Sequence, residues 1–143
     1  MPEALLALAK KHNITLKFWS FKPPIEAVYF RYPGKNPVIG LDYRLLLDRK
    51  HFRCVLAEEL GHFFTSSQES IIVYCHDPNR IRTYREEYQA MVWAVNYLIP
   101  DHELELALNL MPPWELKDFF QVDPEFLAFK LKLSKDRLLA NLN

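Results

Sequence analysis

Residues 56–62 read LAEELGH and place two potential metal ligands four positions apart. On a helix, Glu58 and His62 lie one above the other on the same face, so both can bind a single ion. Glu59 sits at the edge of that face, where a carboxylate can act as a general base on a water molecule beside the metal. The segment therefore predicts a metal site that can carry out hydrolysis.

A hydrolytic zinc site also needs a third protein ligand and an open position for water. The best candidate is Glu87, near the start of a second apolar helical segment. Met91 and Leu98 continue below it on roughly the same stripe, so the carboxylate heads a face that packs inward. Glu86 takes the role if the helical phase differs by one residue.

Other groups are weaker candidates for the site. His76 can supply an imidazole if its loop folds over the two helices, and Cys75 beside it is a still weaker ligand. His51 is two turns before Glu58 and is expected at the surface, whereas Cys54 is expected in the core. Without the second segment, the acids and histidine of residues 56–62 also suit an ordinary solvated helix end.

Two long helices are predicted to position the candidate residues. Asp48 is a suitable N-cap for the first, which should continue through Phe64. The second should run from about Arg80 to Ile99 and stop at Pro100. Its expected buried residues are Tyr84, Tyr88, Met91, Val92, Val95 and Leu98.

The remaining segments complete an α+β fold. A short N-terminal helix should close at Asn13, followed by a strand in ITLKFW and two strands joined by a tight turn in EAVYFRYPGKNPVIGLD. The segment between the long helices is interpreted as a polar break, a short apolar stretch and a turn. We therefore predict a small antiparallel three-stranded sheet packed on two long helices. Residues 1–100 should form this core and residues 101–143 short helices packed on it, in a single compact domain.

Composition narrows the class of protein. Lys plus Arg and Asp plus Glu both number 18, so the formal net charge is zero and a dedicated nucleic-acid binder is disfavoured. No segment has the length of a membrane span or the pattern of a signal peptide, so a cytoplasmic location is expected. With 50% hydrophobic residues and only 3 glycines, most of the chain should be packed and regular.

Two segments together resemble the ImmA/IrrE-type metallo-endopeptidases, a zincin-like family. RCVLAEELGHFFTS is similar to the family's Leu-Ala-His-Glu-Leu-Gly-His, and EYQAMVWAVNYLIP to its Glu-x-x-Ala-x-x-Phe-Ala-x-x-Leu-Leu-x-Pro. PVIGLD resembles the strand before the active-site helix, so the likeness covers roughly residues 14–100. The resemblance implies Glu59 as general base, with His62 and Glu87 as metal ligands.

Glu58 is the main departure from the family pattern, because it stands where the first histidine of the zinc motif is expected. A set of Glu58, His62 and Glu87 would neutralise a divalent ion and weaken it as a Lewis acid. More oxygen ligands also admit Mn²⁺ or Fe²⁺, although the family resemblance favours Zn²⁺.

The sequence thus predicts a metal-dependent endopeptidase acting on a protein substrate. The resemblance implies a helix-turn-helix repressor of a phage or mobile element as that partner, with no direct nucleic-acid or membrane contact. The rival interpretation is a non-catalytic relative that binds a protein partner as an anti-repressor or regulatory module.

Overall fold

The computed structural model describes residues 2–66, 72–76 and 85–142. The helices in these ranges are α1 (Glu3–Lys11), α2 (Arg49–Thr65), α3 (Arg85–Leu98), α4 (Asp101–Leu110), α5 (Leu116–Phe120) and α6 (Pro124–Leu142). The strands are β1 (Thr15–Trp19), β2 (Ala27–Arg31), β3 (Val38–Asp42) and β4 (Ile72–His76), and 3₁₀ turns span Tyr43–Leu47 and Pro113–Glu115. The predicted α+β class is confirmed.

The sheet has the strand order β1-β3-β2-β4 and is mixed rather than purely antiparallel. The predicted hairpin is present, with Tyr29 of β2 opposite Ile39 of β3. β1 pairs with β3 in parallel, with Leu16 opposite Ile39. The antiparallel prediction was wrong for this pair, because β3 lies between β1 and β2 and both β1 and β3 run opposite to β2.

A fourth strand extends the predicted three-stranded sheet. β4 pairs antiparallel with the other edge of β2, and His76 lies opposite Ala27. This segment was interpreted only as a short apolar stretch, since its partner strand is distant in sequence and its own pattern is too short to identify a strand.

Helix α2 is the central element of the core. It begins after Asp48, whose side chain accepts a hydrogen bond from the backbone N–H of His51 at 3.2 Å, as the predicted N-cap requires. Every residue from Cys54 to His62 is buried, because α1, α3 and the sheet all pack against this helix. The acids in the middle of α2 therefore lie inside the protein.

Helix α3 buries a stripe that differs in part from the prediction. Its buried residues are Glu87, Ala90, Met91, Ala94, Val95 and Leu98. Tyr88 was expected in the core but is 45% exposed, because it follows Glu87 and points away from that stripe. Its ring instead packs against Phe129 of α6, with centroids 5.6 Å apart. Tyr84 lies outside the described residues.

The C-terminal part contains one long helix, although only short helices were predicted there. α6 extends from Pro124 to Leu142, a length of 19 residues. No glycine or proline interrupts the segment after Pro124, so the helix has no reason to end earlier. Within the described ranges, no helix combines the length and apolar character needed to cross a membrane.

Candidate metal and catalytic site

Four ionisable residues predicted to form the site are buried on two neighbouring helices. Glu59 is fully buried, and Glu58, His62 and Glu87 are at most 6% exposed. Glu86 is exposed. The helical phase therefore places Glu87, and not its neighbour, on the inward face of α3.

The two helices touch backbone to backbone next to these residues. A methyl group added at Gly61 would come within 2.3 Å of the carbonyl oxygen of Ala90. Gly61 directly precedes His62, and Ala90 is one helical turn after Glu87. Only glycine permits this close approach, so the LGH part of the motif fixes the distance between the helices that carry the candidate ligands.

Glu59 has an environment that favours its protonated form. Burial and, to a lesser extent, the nearby charge of Glu87 together raise the pKa of its carboxyl group to about 8. The backbone contact between Gly61 and Ala90 brings the part of α3 that carries Glu87 towards the candidate base. A general base works best when its pKa lies near the working pH.

Two residues of β2 adjoin the site and were not singled out from the sequence. The ring of Tyr29 stacks on the imidazole of His62, with centroids 6.3 Å apart and planes 22° apart. Arg31 lies two positions further along the same inward face and is 3% exposed. The alternation of Ala27, Tyr29 and Arg31 in the sequence could have identified Arg31 as an inward-facing residue, since an arginine on an otherwise apolar strand face is unusual.

The donor types at this position fit a divalent cation. Glu58 and His62 share one face of α2, and carboxylate and imidazole groups are common ligands of Zn²⁺, Mn²⁺ and Fe²⁺. Among the described side chains, those of residues 2–66 and 85–141, no three His, Cys, Asp or Glu residues are grouped closely enough to hold an ion. The set of Glu58, His62 and Glu87 stays a prediction, and it requires these side chains to reorient around the metal.

The structure gives different results for the weaker candidates named in the sequence analysis. His76 and Cys75 belong to β4, but their side chains lie outside the description of the structure. Cys54 is buried, as predicted, and burial raises the pKa of its thiol to about 12, so it is an unreactive core residue. The surface prediction for His51 was wrong, because its imidazole lies between Asp123 and Glu26 and is only partly exposed.

The family model Peptidase_M78, described as the IrrE N-terminal-like domain, matches residues 9–132. The chain belongs to this family. The IrrE N-terminal-like match starts within α1 and ends within α6, so it includes C-terminal helices beyond the motif-bearing region.

Membership of the IrrE N-terminal-like family supports a metallopeptidase-type function, and the family is typically metal-dependent. Comparisons with curated proteins and with solved structures find no match.

Proposed function

We propose that the protein is a metal-dependent endopeptidase whose site lies where α2 meets α3. One observation carries the proposal: three carboxyl groups and an imidazole are buried beside a backbone contact between two helices. Proteins rarely bury three glutamates together, as this one buries Glu58, Glu59 and Glu87. A buried carboxylate loses its hydration, and this costs stability unless a cation or a hydrogen bond compensates. A role in catalysis explains why the protein contains these buried glutamates.

Each residue has a distinct role in the proposed reaction. Glu58, His62 and Glu87 would hold the metal, preferably Zn²⁺, which when bound supplies Lewis acidity to the scissile carbonyl. Glu59 removes a proton from the attacking water and returns it to the leaving amine. Because Glu59 is fully buried, its carboxylate is held by the packing of α2 and needs little reorganisation during the reaction.

The proposed substrate is a protein, and the resemblance to ImmA/IrrE-type enzymes suggests a helix-turn-helix repressor of a phage or mobile element. The zero net charge supports recognition of a protein rather than of nucleic acid. We place the reaction in the cytoplasm, where such a repressor acts, with no membrane contact.

The decisive test compares Glu59→Gln with Glu86→Gln in protein loaded with Zn²⁺. Both variants remove one carboxylate, but Glu59 is buried at the site and Glu86 is exposed on α3. Cleavage of a proteome-derived peptide mixture, followed by mass spectrometry, should fall at least about 100-fold in Glu59→Gln, since general-base catalysis contributes 10²–10⁴-fold. Glu86→Gln should cleave normally.

Metal analysis of the same proteins separates the catalytic proposal from the rival binding module. The unmodified chain and Glu59→Gln should each retain about one metal ion per chain, because Glu59 is not a proposed ligand. A chain that binds no metal and cleaves no peptide would instead be a non-catalytic module. Equal cleavage by Glu59→Gln and the unmodified chain would exclude Glu59 as the base.

A further inference from the structure

Arg31 is a buried cation outside the proposed catalytic set. It lies on the inward face of β2 and is 3% exposed. Its three guanidinium nitrogens are buried without a hydrogen bond of good geometry to any of the described residues, although the Tyr29 phenol is near enough for the guanidinium group to lower its pKa. Arginine stays protonated in proteins, so burying this group without an anionic partner costs stability.

The position of Arg31 connects it to the candidate site. Its charge acts on the phenol of Tyr29, lowering the pKa of that group while burial raises it more strongly. The ring of Tyr29 stacks in turn on His62, a proposed metal ligand. Ser66, the C-cap residue of α2, also lowers the pKa of the Tyr29 phenol.

We propose that Arg31 and Tyr29 form a subsite for a carboxylate of the protein substrate, supplied by an acidic side chain near the scissile bond. This inference rests on the proposed function. The guanidinium group can bind both oxygens of a carboxylate, and the phenol can donate a further hydrogen bond. The subsite makes Arg31 a determinant of specificity.

The spacing along β2 indicates that Arg31 binds a side chain of the substrate and not the carbonyl group of the scissile bond. Two residues of a strand span roughly 6–7 Å, so Arg31 is attached that much further along β2 than Tyr29. In an extended substrate, the second residue along the chain from the scissile bond is displaced by a similar distance. A chain-terminal carboxylate has the same chemistry and is the alternative source.

The first experiment measures carboxylate binding without cleavage. Succinate, compared with sodium chloride at equal ionic strength, should raise the melting temperature of the unmodified protein. The rise should disappear in Arg31→Met and shrink in Tyr29→Phe, which keeps the ring stacked on His62. Arg49→Met removes the same charge from an exposed position at the far end of α2 and should respond normally.

The stability of Arg31→Met itself distinguishes the proposal from a structural role. Replacing a buried charge that no described carboxylate neutralises by an apolar side chain of similar length should leave the melting temperature unchanged or raise it. A lower melting temperature that Arg31→Lys restores would reveal a structural ion pair and overturn the proposal, as would an equal succinate response in Arg31→Met.

The second experiment measures specificity with the peptide mixture. Cleavage by the unmodified protein should be enriched at least 10-fold for Asp or Glu at one fixed position near the cut, and Arg31→Met should lose that preference while Arg49→Met keeps it. Cleavage confined to bonds near peptide C-termini would identify the terminal carboxylate as the source. If no peptide is cleaved, the proposed function fails, whereas the succinate response still decides whether the subsite exists.

Discussion

Gly61 determines the separation of the two helices that carry the candidate site. Its Cα faces the backbone of Ala90, and three backbone atoms of Ala90 lie within 3.0 Å of the position that a Cβ would occupy. A backbone obstacle cannot move aside as a flexible side chain can. Any side chain at Gly61 must therefore push α3 away from α2, and Glu87 would move with it.

Gly61→Ala should lower the free energy of unfolding by about 1–3 kcal/mol, the usual cost of overpacking, and should also reduce metal content. Urea denaturation and metal analysis measure the two effects. Gly34→Ala is the matched control, because Gly34 has a φ of +76° but no atom within 4 Å of an added Cβ. It should cost about 1 kcal/mol through backbone strain and leave metal content unchanged. Normal stability of Gly61→Ala would contradict the close helix contact.

At the scale of elements, His51 joins three segments that are distant in sequence. Its Nδ1 lies 2.6 Å from Asp123, next to the start of α6, and its Nε2 lies 2.9 Å from Glu26, just before β2. Hydrogen bonds to Asp123 and then Glu26 raise the pKa of the imidazole to about 10. The protonated ring can donate to both carboxylates at once, so it ties α2 to both neighbours.

This linkage predicts a stability loss at alkaline pH. The folded-state pKa of about 10 exceeds the unfolded value of 6.5, so the contribution of His51 is complete below pH 6.5 and is lost as the pH rises towards 10. The slope is at most about 1.4 kcal/mol per pH unit. His51→Gln should unfold more easily than the unmodified protein at pH 6 and show a shallower decline between pH 7 and 9.5.

The difference in unfolding stability between the two proteins, followed against pH, measures the contribution of His51 alone. Glu59 and Cys54 titrate in both proteins, so their effects cancel. Parallel curves over this range would show that the imidazole is not charged in the folded state.

At the scale of the whole molecule, Lys130 attaches the long C-terminal helix to the core. Its side chain is fully buried, and its Nζ donates to Asn96 of α3 at 2.7 Å and to Asp101 of α4 at 2.5 Å. Asp101 is 62% exposed and also binds Arg137. The two partners of the Lys130–Asp101 ion pair therefore have very different hydration.

Removing the charge of Asp101 should reduce the stability of the protein more than removing the charge of Lys130. Asp101→Asn leaves a buried ammonium group without its counter-charge and should cost about 2–4 kcal/mol. Lys130→Met removes the buried charge, leaves a carboxylate that water can solvate, and should stay within about 1 kcal/mol of the unmodified protein. Thermal and urea unfolding of both variants measure the difference. A larger loss in Lys130→Met than in Asp101→Asn would mean that Lys130 stabilises the fold mainly through contacts other than Asp101, such as its hydrogen bond to Asn96.

Local patterns were sufficient to predict much of the fold and the candidate residues. Asp48 capped α2 as expected, the apolar spacing located both long helices, and the β2–β3 hairpin followed from its turn residues. Helical periodicity placed Glu58 and His62 on one face of α2 with Glu59 at its edge, whereas Glu87 was singled out by the resemblance of its segment to the ImmA/IrrE-type family. The substrate, the metal and the ligand set stay predictions.

Tertiary structure alone decided the features that depend on distant partners. The parallel pairing of β1, the addition of β4, the exposure of Tyr88 and the continuity of α6 all follow from which surfaces meet. The same holds for His51 and Arg31, since burial and ion pairing arise from residues far apart in the chain. A sequence records the chemistry of each side chain and its local spacing, but its environment exists only after long-range packing has removed water from it.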